Sequence, residues 1–237
     1  MANMTRTVGR VVEARNLSKS FGKTPYVKGV SLSVPRGGAL AVAGENGAGK
    51  TTLLKMLATA LKPDSGELSI GGFDAIKEPA HARELLGFVP QGIALMQELS
   101  VRDNLRYWMK TPDEALYQWT LELIGLKEVE KRRVSRLSGG MQRRLNIGAS
   151  LVLRPSLLIL DEPLAGVDIA NRRRIIDTLI ALKRSGVTII FTSHYIEEMQ
   201  LLADSLITLR GGEVTYHGGL QFPDGRSLSD ALRYYTA

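Results

Sequence analysis

The chain has 237 residues, 44% hydrophobic and 23% charged, with no cysteine and a formal net charge of +7. That is enough chain to bury a full core in one α/β domain with a subdomain, or in two small lobes. Without cysteine, a disulfide scaffold and thiolate metal sites are excluded, and a reducing compartment fits.

No run of about 18 apolar residues occurs, so no segment is read as crossing a membrane by itself, and the N-terminal MANMTRTVGRVVEARN has no signal-peptide core. The expectation is a chain on the cytoplasmic side. Its positive charge suits a polyanion, an anionic membrane face or simply a solvated basic surface.

In chain order, Val11 to Ala14 and Val30 to Val34 predict short strands, the second alternating apolar and polar. Leu40 to Ala43 is a continuous apolar run, the pattern of a strand buried on both faces. A helix is predicted from Lys50 to about Leu61, ended by Pro63-Asp64-Ser65-Gly66, and Glu67 to Ile70 reads as another strand. From about Ser100 to Ser150 the spacing is helical. Val101, Leu105 and Trp108, then Leu116, Trp119 and Leu123, mark faces on which both tryptophans are read as core; Leu145 and Ala149 follow.

After the break at Arg154-Pro155 comes a second apolar strand, Leu157 to Leu160, ending on Asp161-Glu162-Pro163. A helix from about Asn171 to Arg184, a strand from Val187 to Phe191, a further helix and a strand from Ser205 to Leu209 complete the series. Gly211-Gly212-Glu213-Val214 reads as a hairpin turn with a return strand. Buried strands alternating with helices predict a mostly parallel sheet wrapped by helices, an α/β fold.

The stretch GENGAGKTT, residues 44–52, follows the first buried strand and opens a helix. It fits Gly-x-x-x-x-Gly-Lys-[Ser/Thr], with Gly44, Gly49, Lys50 and Thr51 in the four fixed places. Glycines let successive N–H groups turn inward to phosphate oxygens, and the helix start aims its positive dipole end at the same anion. Gly44, Asn46, Gly47, Ala48, Gly49, Lys50, Thr51 and Thr52 are therefore candidates for binding a nucleotide, with Lys50 on the β- and γ-phosphates and the Thr51 hydroxyl on Mg2+. Asp161, at the end of the second apolar strand, is the second metal candidate. Glu162 is the candidate for orienting or deprotonating the attacking water.

Leu137-Ser138-Gly139-Gly140-Met141-Gln142 resembles the signature motif of the ATP-binding cassette (ABC) family, and the resemblance runs from about Val11 to Gly219. It implies a P-loop ATPase core with an N-terminal antiparallel β-subdomain, a helical subdomain near residues 92–150 and a short tail over 220–237, all in one ABC domain. It also implies ATP and Mg2+ as ligands. In the family, Phe21 matches the aromatic residue stacked on adenine, and Gln91 matches a glutamine that senses magnesium and contacts the membrane partner. Asp168 falls in the matching D-loop, and His194 matches the histidine that contacts the γ-phosphate.

Four positions depart from the common pattern: Met141 replaces Gln, Phe21 replaces Tyr, the D-loop reads Ala165-Gly166-Val167-Asp168, and Gly92 follows Gln91. None removes a catalytic group. Ser138, Gly139 and Gly140 form a second phosphate-binding turn at a helix start, which in the family covers the nucleotide of an opposite protomer. A homodimer or paired cassette on separate transmembrane permease subunits is thus implied, at the cytoplasmic face of the membrane. Gly92 to Arg106, with Met96 and Leu99, is read as docking surface or as core of the helical lobe.

The neighbouring sequence is similar to cassettes of two-component exporters. The alternatives are an ABC ATPase acting on a soluble or cell-envelope regulatory partner, and a small-molecule P-loop kinase. The basic residues Lys131 to Arg133, Arg136, Arg143, Arg144 and Arg172 to Arg174 are read as solvated helix faces. Their runs hold no base-stacking aromatics, so nucleic acid is not expected. His81 and His217 are read as surface residues.

Overall fold

The computed structural model describes residues 9–222 and 224–236. The first half of MANMTRTVGRVVEARN, residues 1–8, lies outside the described residues, as do two positions of the tail. β1 (Arg10–Phe21) and β2 (Thr24–Pro35) form a long antiparallel hairpin. Each exceeds its predicted strand because the tip carries exposed residues with no apolar alternation to signal it. Val12, Ala14, Leu17, Val30 and Val34 point into the core.

β3 (Ala39–Gly44) leads to α1 (Lys50–Leu57). This helix stops four residues short of the predicted Leu61. Thr59 turns left-handed at φ 54°, and the Thr59 and Ala60 N–H groups donate back to the Met56 and Lys55 carbonyls. That is a Schellman stop made without glycine, so the sequence lacks its usual marker. β4 (Ser65–Ile70) and β5 (Phe73–Asp74) complete a first sheet in the order β2-β1-β4-β5, antiparallel throughout.

α2 (Pro79–Leu85) and β6 (Leu86–Val89) follow. Then comes a helical lobe of α3 (Val101–Trp108), α4 (Glu114–Leu123) and α5 (Gly139–Leu151). The predicted burial of both tryptophans is corrected here: Trp108 is 41% and Trp119 46% exposed. On α4 the buried stripe is Tyr117, Thr120 and Leu121, one residue beyond the predicted Leu116–Trp119 face. One residue is about 100° of helix, enough to turn Trp119 outward. Tyr117 takes the core position because its hydroxyl reaches the Glu130 carboxylate at 2.7 Å.

The chain returns to the second sheet with β7 (Leu157–Leu160), α6 (Ile169–Arg184), β8 (Thr188–Thr192), α7 (Ile196–Leu202), β9 (Ser205–Arg210), β10 (Glu213–Gly218) and α8 (Leu228–Thr236). Its order is β10-β9-β3-β8-β7-β6, parallel except for the edge strand β10. Every residue of β7 and β8 is buried, as the apolar runs require.

α1 fills the space between the two sheets with Leu53, Leu54, Met56 and Leu57, all fully buried. Each contributes about 1.5–3 kcal/mol. Ile175 and Leu179 of α6 cover the opposite sheet face with Phe191 of β8. The lobe has its own core around Leu105, Leu121, Ile124 and Leu145.

The two sheets approach closely around the Tyr26 carbonyl. A side chain on Gly49 would lie 2.2 Å, and one on Gly212 2.8 Å, from the Tyr26 oxygen. The Lys28 N–H donates to the Gly212 carbonyl at 2.8 Å.

Candidate functional site

The loop between β3 and α1 is built for close backbone approach. Gly44, Gly47 and Gly49 have φ of 151°, 83° and 100°, and a Cβ on Gly44 would strike the Leu209 carbonyl at 2.4 Å. The start of α1 has no side-chain cap and no acidic residue in its first turn, so its N–H donors are free for an external anion. Lys50 is 6% exposed, and among the described residues its ammonium donates to the Gly44 and Glu45 carbonyls, at 2.7 and 3.0 Å. Burial pushes its pKa down, while Glu162 and Asp161 hold it up. A triphosphate fits this donor set: a bare cradle, an uncapped helix and a lysine without a hydrogen-bonded carboxylate.

Asn46 and Gly47 lie at the exposed tip, Ala48 is buried, and Thr51 and Thr52 are half-buried on the first turn of α1. Phe21 ends β1 with its ring 49% exposed and edge-on to Tyr26 at 5.3 Å. Because the Tyr26 carbonyl abuts Gly49, that exposed aromatic surface stands beside the loop.

Asp161 and Glu162 emerge from the end of β7, next to β8. Asp161 is 2% exposed and accepts from the Thr192 hydroxyl at 2.9 Å. Glu162 takes a left-handed φ of 48°, held by its N–H donating to the same Thr192 oxygen at 2.7 Å. Such a conformation costs a non-glycine residue about 1–3 kcal/mol. It delivers the Glu162 carboxylate to two partners: Gln91 Nε2 at 3.0 Å on one oxygen and His194 Nε2 at 3.0 Å on the other.

Three of the sequence candidates therefore converge. Gln91 follows β6, Glu162 follows β7 and His194 follows β8, so adjacent parallel strands aim them at one point. Among the described residues no group of three or more His, Cys, Asp and Glu is placed to hold a metal ion. A metal held by Thr51, Gln91 and Asp161 would draw on phosphate and water oxygens, which is how magnesium is usually bound.

The signature turn lies on a different element. Ser138 caps α5, accepting from the Met141 N–H at 3.3 Å, and a Cβ on Gly139 would meet nothing within 4 Å. Gly140 is packed so closely that a Cβ would sit 2.7 Å from the Asn171 side chain. Asn171 in turn bonds Asp168, the cap of α6, at 2.7 and 3.0 Å. These bonds hold the Asp168 carboxyl below the usual range. Leu95 packs on the lobe core, Met96 and Leu99 are half-buried and Ile93 is exposed, so the stretch from Gly92 serves both packing and surface. His81 and His217 are exposed as expected.

Arg143 and Arg144, read as solvated, are buried at 3% and 5% exposure. Arg144 braces the lobe through the Ile124 and Gly125 carbonyls. Arg143 reaches the site itself, as does Thr192, and neither was a sequence candidate. Arg143 shares a helix face with Ile147 and Leu151 at i+4 and i+8, which was the available signal of its burial.

A glycine cradle, a carboxylate pair on the neighbouring strand tip and a mostly parallel sheet define a P-loop nucleotide-hydrolysing fold. The ABC transporter family model matches residues 27–165. The chain is 41% identical over 210 residues to the linearmycin resistance ATP-binding protein LnrL of Bacillus subtilis (strain 168), covering 86% of this chain and 68% of that one. It is 38% identical over 213 residues to the Nod factor export ATP-binding protein I of Burkholderia lata, covering 87% and 70%. The solved ATP-binding subunit of an ABC transporter superposes with a TM-score of 0.85 at 26% identity, covering 94% of this chain and 98% of that one. The chain belongs to the ABC transporter family and is an ATP-binding ATPase of it. Among the described residues no helix is long and apolar enough to cross a membrane.

Proposed function

We propose that this chain is the ATPase cassette of an exporter. Two cassettes close head to tail on two ATP molecules, and hydrolysis reopens them against separate membrane-spanning subunits at the cytoplasmic face. The observation that carries this reading is the Glu162 carboxylate, 3.0 Å from both Gln91 and His194 and close enough to Lys50 to oppose the lowering of its pKa by burial.

Glu162 is the group that orients or deprotonates water. Lys50 and the N–H groups of residues 44–52 bind the phosphates, and Phe21 takes the adenine face. Thr51, Gln91 and Asp161 would hold magnesium, which when bound neutralises charge on the phosphates. His194 addresses the γ-phosphate. Ser138, Gly139, Gly140 and Asp168 of the second cassette close over it, so nucleotide shifts the population toward the pair. An outward direction is supported by the resistance and export functions in the names of the two relatives.

The test is Glu162→Gln. A general base contributes about a hundred- to ten-thousand-fold, so turnover should fall by that order while ATP-bound dimer accumulates. Light scattering after gel filtration with ATP measures it. A chain that stays monomeric at saturating ATP, alone and with its membrane fraction, would sink the sandwich. Recovery of the native protein from detergent extract on a ribosome or soluble complex, rather than on a polytopic membrane protein, would sink transport.

A further inference from the structure

The guanidinium of Arg143 has five N–H donors, and each finds a main-chain carbonyl. Nε donates to Pro163 at 2.8 Å. Nη1 donates to Pro90 at 2.7 Å and Gln91 at 3.0 Å. Nη2 donates to Asp161 at 2.8 Å and Glu162 at 2.6 Å. The acceptors lie on two loops, one after β6 and one after β7, and those loops carry Gln91, Asp161 and Glu162.

We propose that Arg143 is a positioning residue of the ATPase, fixing the Gln91 loop and the Asp161–Glu162 loop in one register so that the Glu162 carboxylate is held ready for its water. This deepens the function proposed above and rests on it.

Stability alone is a poor account of this residue. Arg143 is 3% exposed, and all its hydrogen bonds go to main-chain oxygens rather than to a carboxylate. A buried cation with no hydrogen-bonded anion is costly to desolvate, which offsets much of what its hydrogen bonds return to stability. An apolar residue, however, would leave five carbonyls near the catalytic carboxylate without these donors. It would also release the carbonyl of Glu162, whose left-handed φ of 48° needs outside support. The guanidinium is planar and rigid, so it sets the distance and angle between the two loops, which a single ammonium cannot do. Burial lowers its pKa while the nearby Asp161 and Glu162 raise it, and arginine stays charged throughout.

The experiment compares Arg143→Lys and Arg143→Gln with the wild-type chain. Steady-state ATP hydrolysis and ATP affinity are measured at a temperature where circular dichroism shows each variant folded. The expected result for both is a kcat at least tenfold lower, with KM and ATP affinity within about threefold, because the phosphate cradle is untouched. Lysine keeps the charge and is expected not to restore kcat. A wild-type kcat with only a lowered melting midpoint, a raised KM with unchanged kcat, or failure of both variants to fold would each make Arg143 a scaffold brace and overturn the proposal. Wild-type turnover and the ATP-dependent pairing of Glu162→Gln report separately on the underlying function. If those fail, the failure lies with that reading rather than with Arg143.

Discussion

Thr192→Val tests whether one hydroxyl holds the carboxylate loop. Thr192 is fully buried and joins two groups: it donates to Asp161 Oδ1 at 2.9 Å and accepts the Glu162 N–H at 2.7 Å. Valine has nearly the same shape, so packing survives and only the polar partner goes. Leaving a buried acceptor and a buried donor unpaired costs about 1–3 kcal/mol each, so the variant should lose roughly 2–6 kcal/mol in all. For a domain of this size each kcal/mol lowers the melting midpoint by about 2–4 °C, which gives a drop of roughly 4–24 °C. Urea unfolding should show a lower midpoint with an unchanged slope. Turnover should fall as well, because the strained Glu162 backbone loses a support. Thr192→Ser keeps the hydroxyl and should retain most of both properties. A valine variant within about 0.5 kcal/mol of wild type, the ordinary spread of neutral substitutions, would refute the argument.

Gly49→Ala should abolish ATP binding and cost about 1–3 kcal/mol or more, since its Cβ would meet the Tyr26 carbonyl at 2.2 Å with φ at 100°. Gly47→Ala, also at positive φ but with open space, should be the milder change, and nucleotide titration with thermal melts separates the two. Glu198 is 5% exposed, bonds Ser193 beside His194, and has its pKa raised by burial above the usual 4.5. Between the ordinary and the folded pKa the native state holds the extra proton, so this group's contribution declines as pH rises through that window. Glu198→Gln should flatten that slope in melting midpoints taken from pH 4 upward; an unchanged slope would contradict it.

What could be read from the sequence was whatever expresses itself locally. β3, β7 and β8 are apolar runs because both their faces are covered, and Gly44, Gly49 and Lys50 are fixed by the backbone chemistry of phosphate contact. Gln91 and His194 could be singled out by resemblance and Glu162 by its place at the end of an apolar strand, but their meeting depends on the strand order β8-β7-β6, which no local pattern encodes. Trp119 was misplaced because a helix period leaves the phase open by one residue, and the choice was made by the Tyr117–Glu130 bond. Arg143 was misjudged because charge is a good guide to exposure except where main-chain carbonyls from distant loops replace water. The stop of α1 at Thr59 was invisible because threonine, unlike glycine, does not advertise a left-handed turn.

The contact of Tyr26 with Gly49 and Gly212 has a bearing on how the molecule is made. The three segments sit side by side in space, but Gly212 emerges from the ribosome long after Tyr26 and Gly49, and β3 is flanked by β8 and β9, which are also synthesised late. A nascent chain released only as far as the helical lobe owns the whole glycine loop yet lacks both walls that shape it. Nucleotide capture is therefore a late event in biogenesis, and long-range closure of this kind is slow to form.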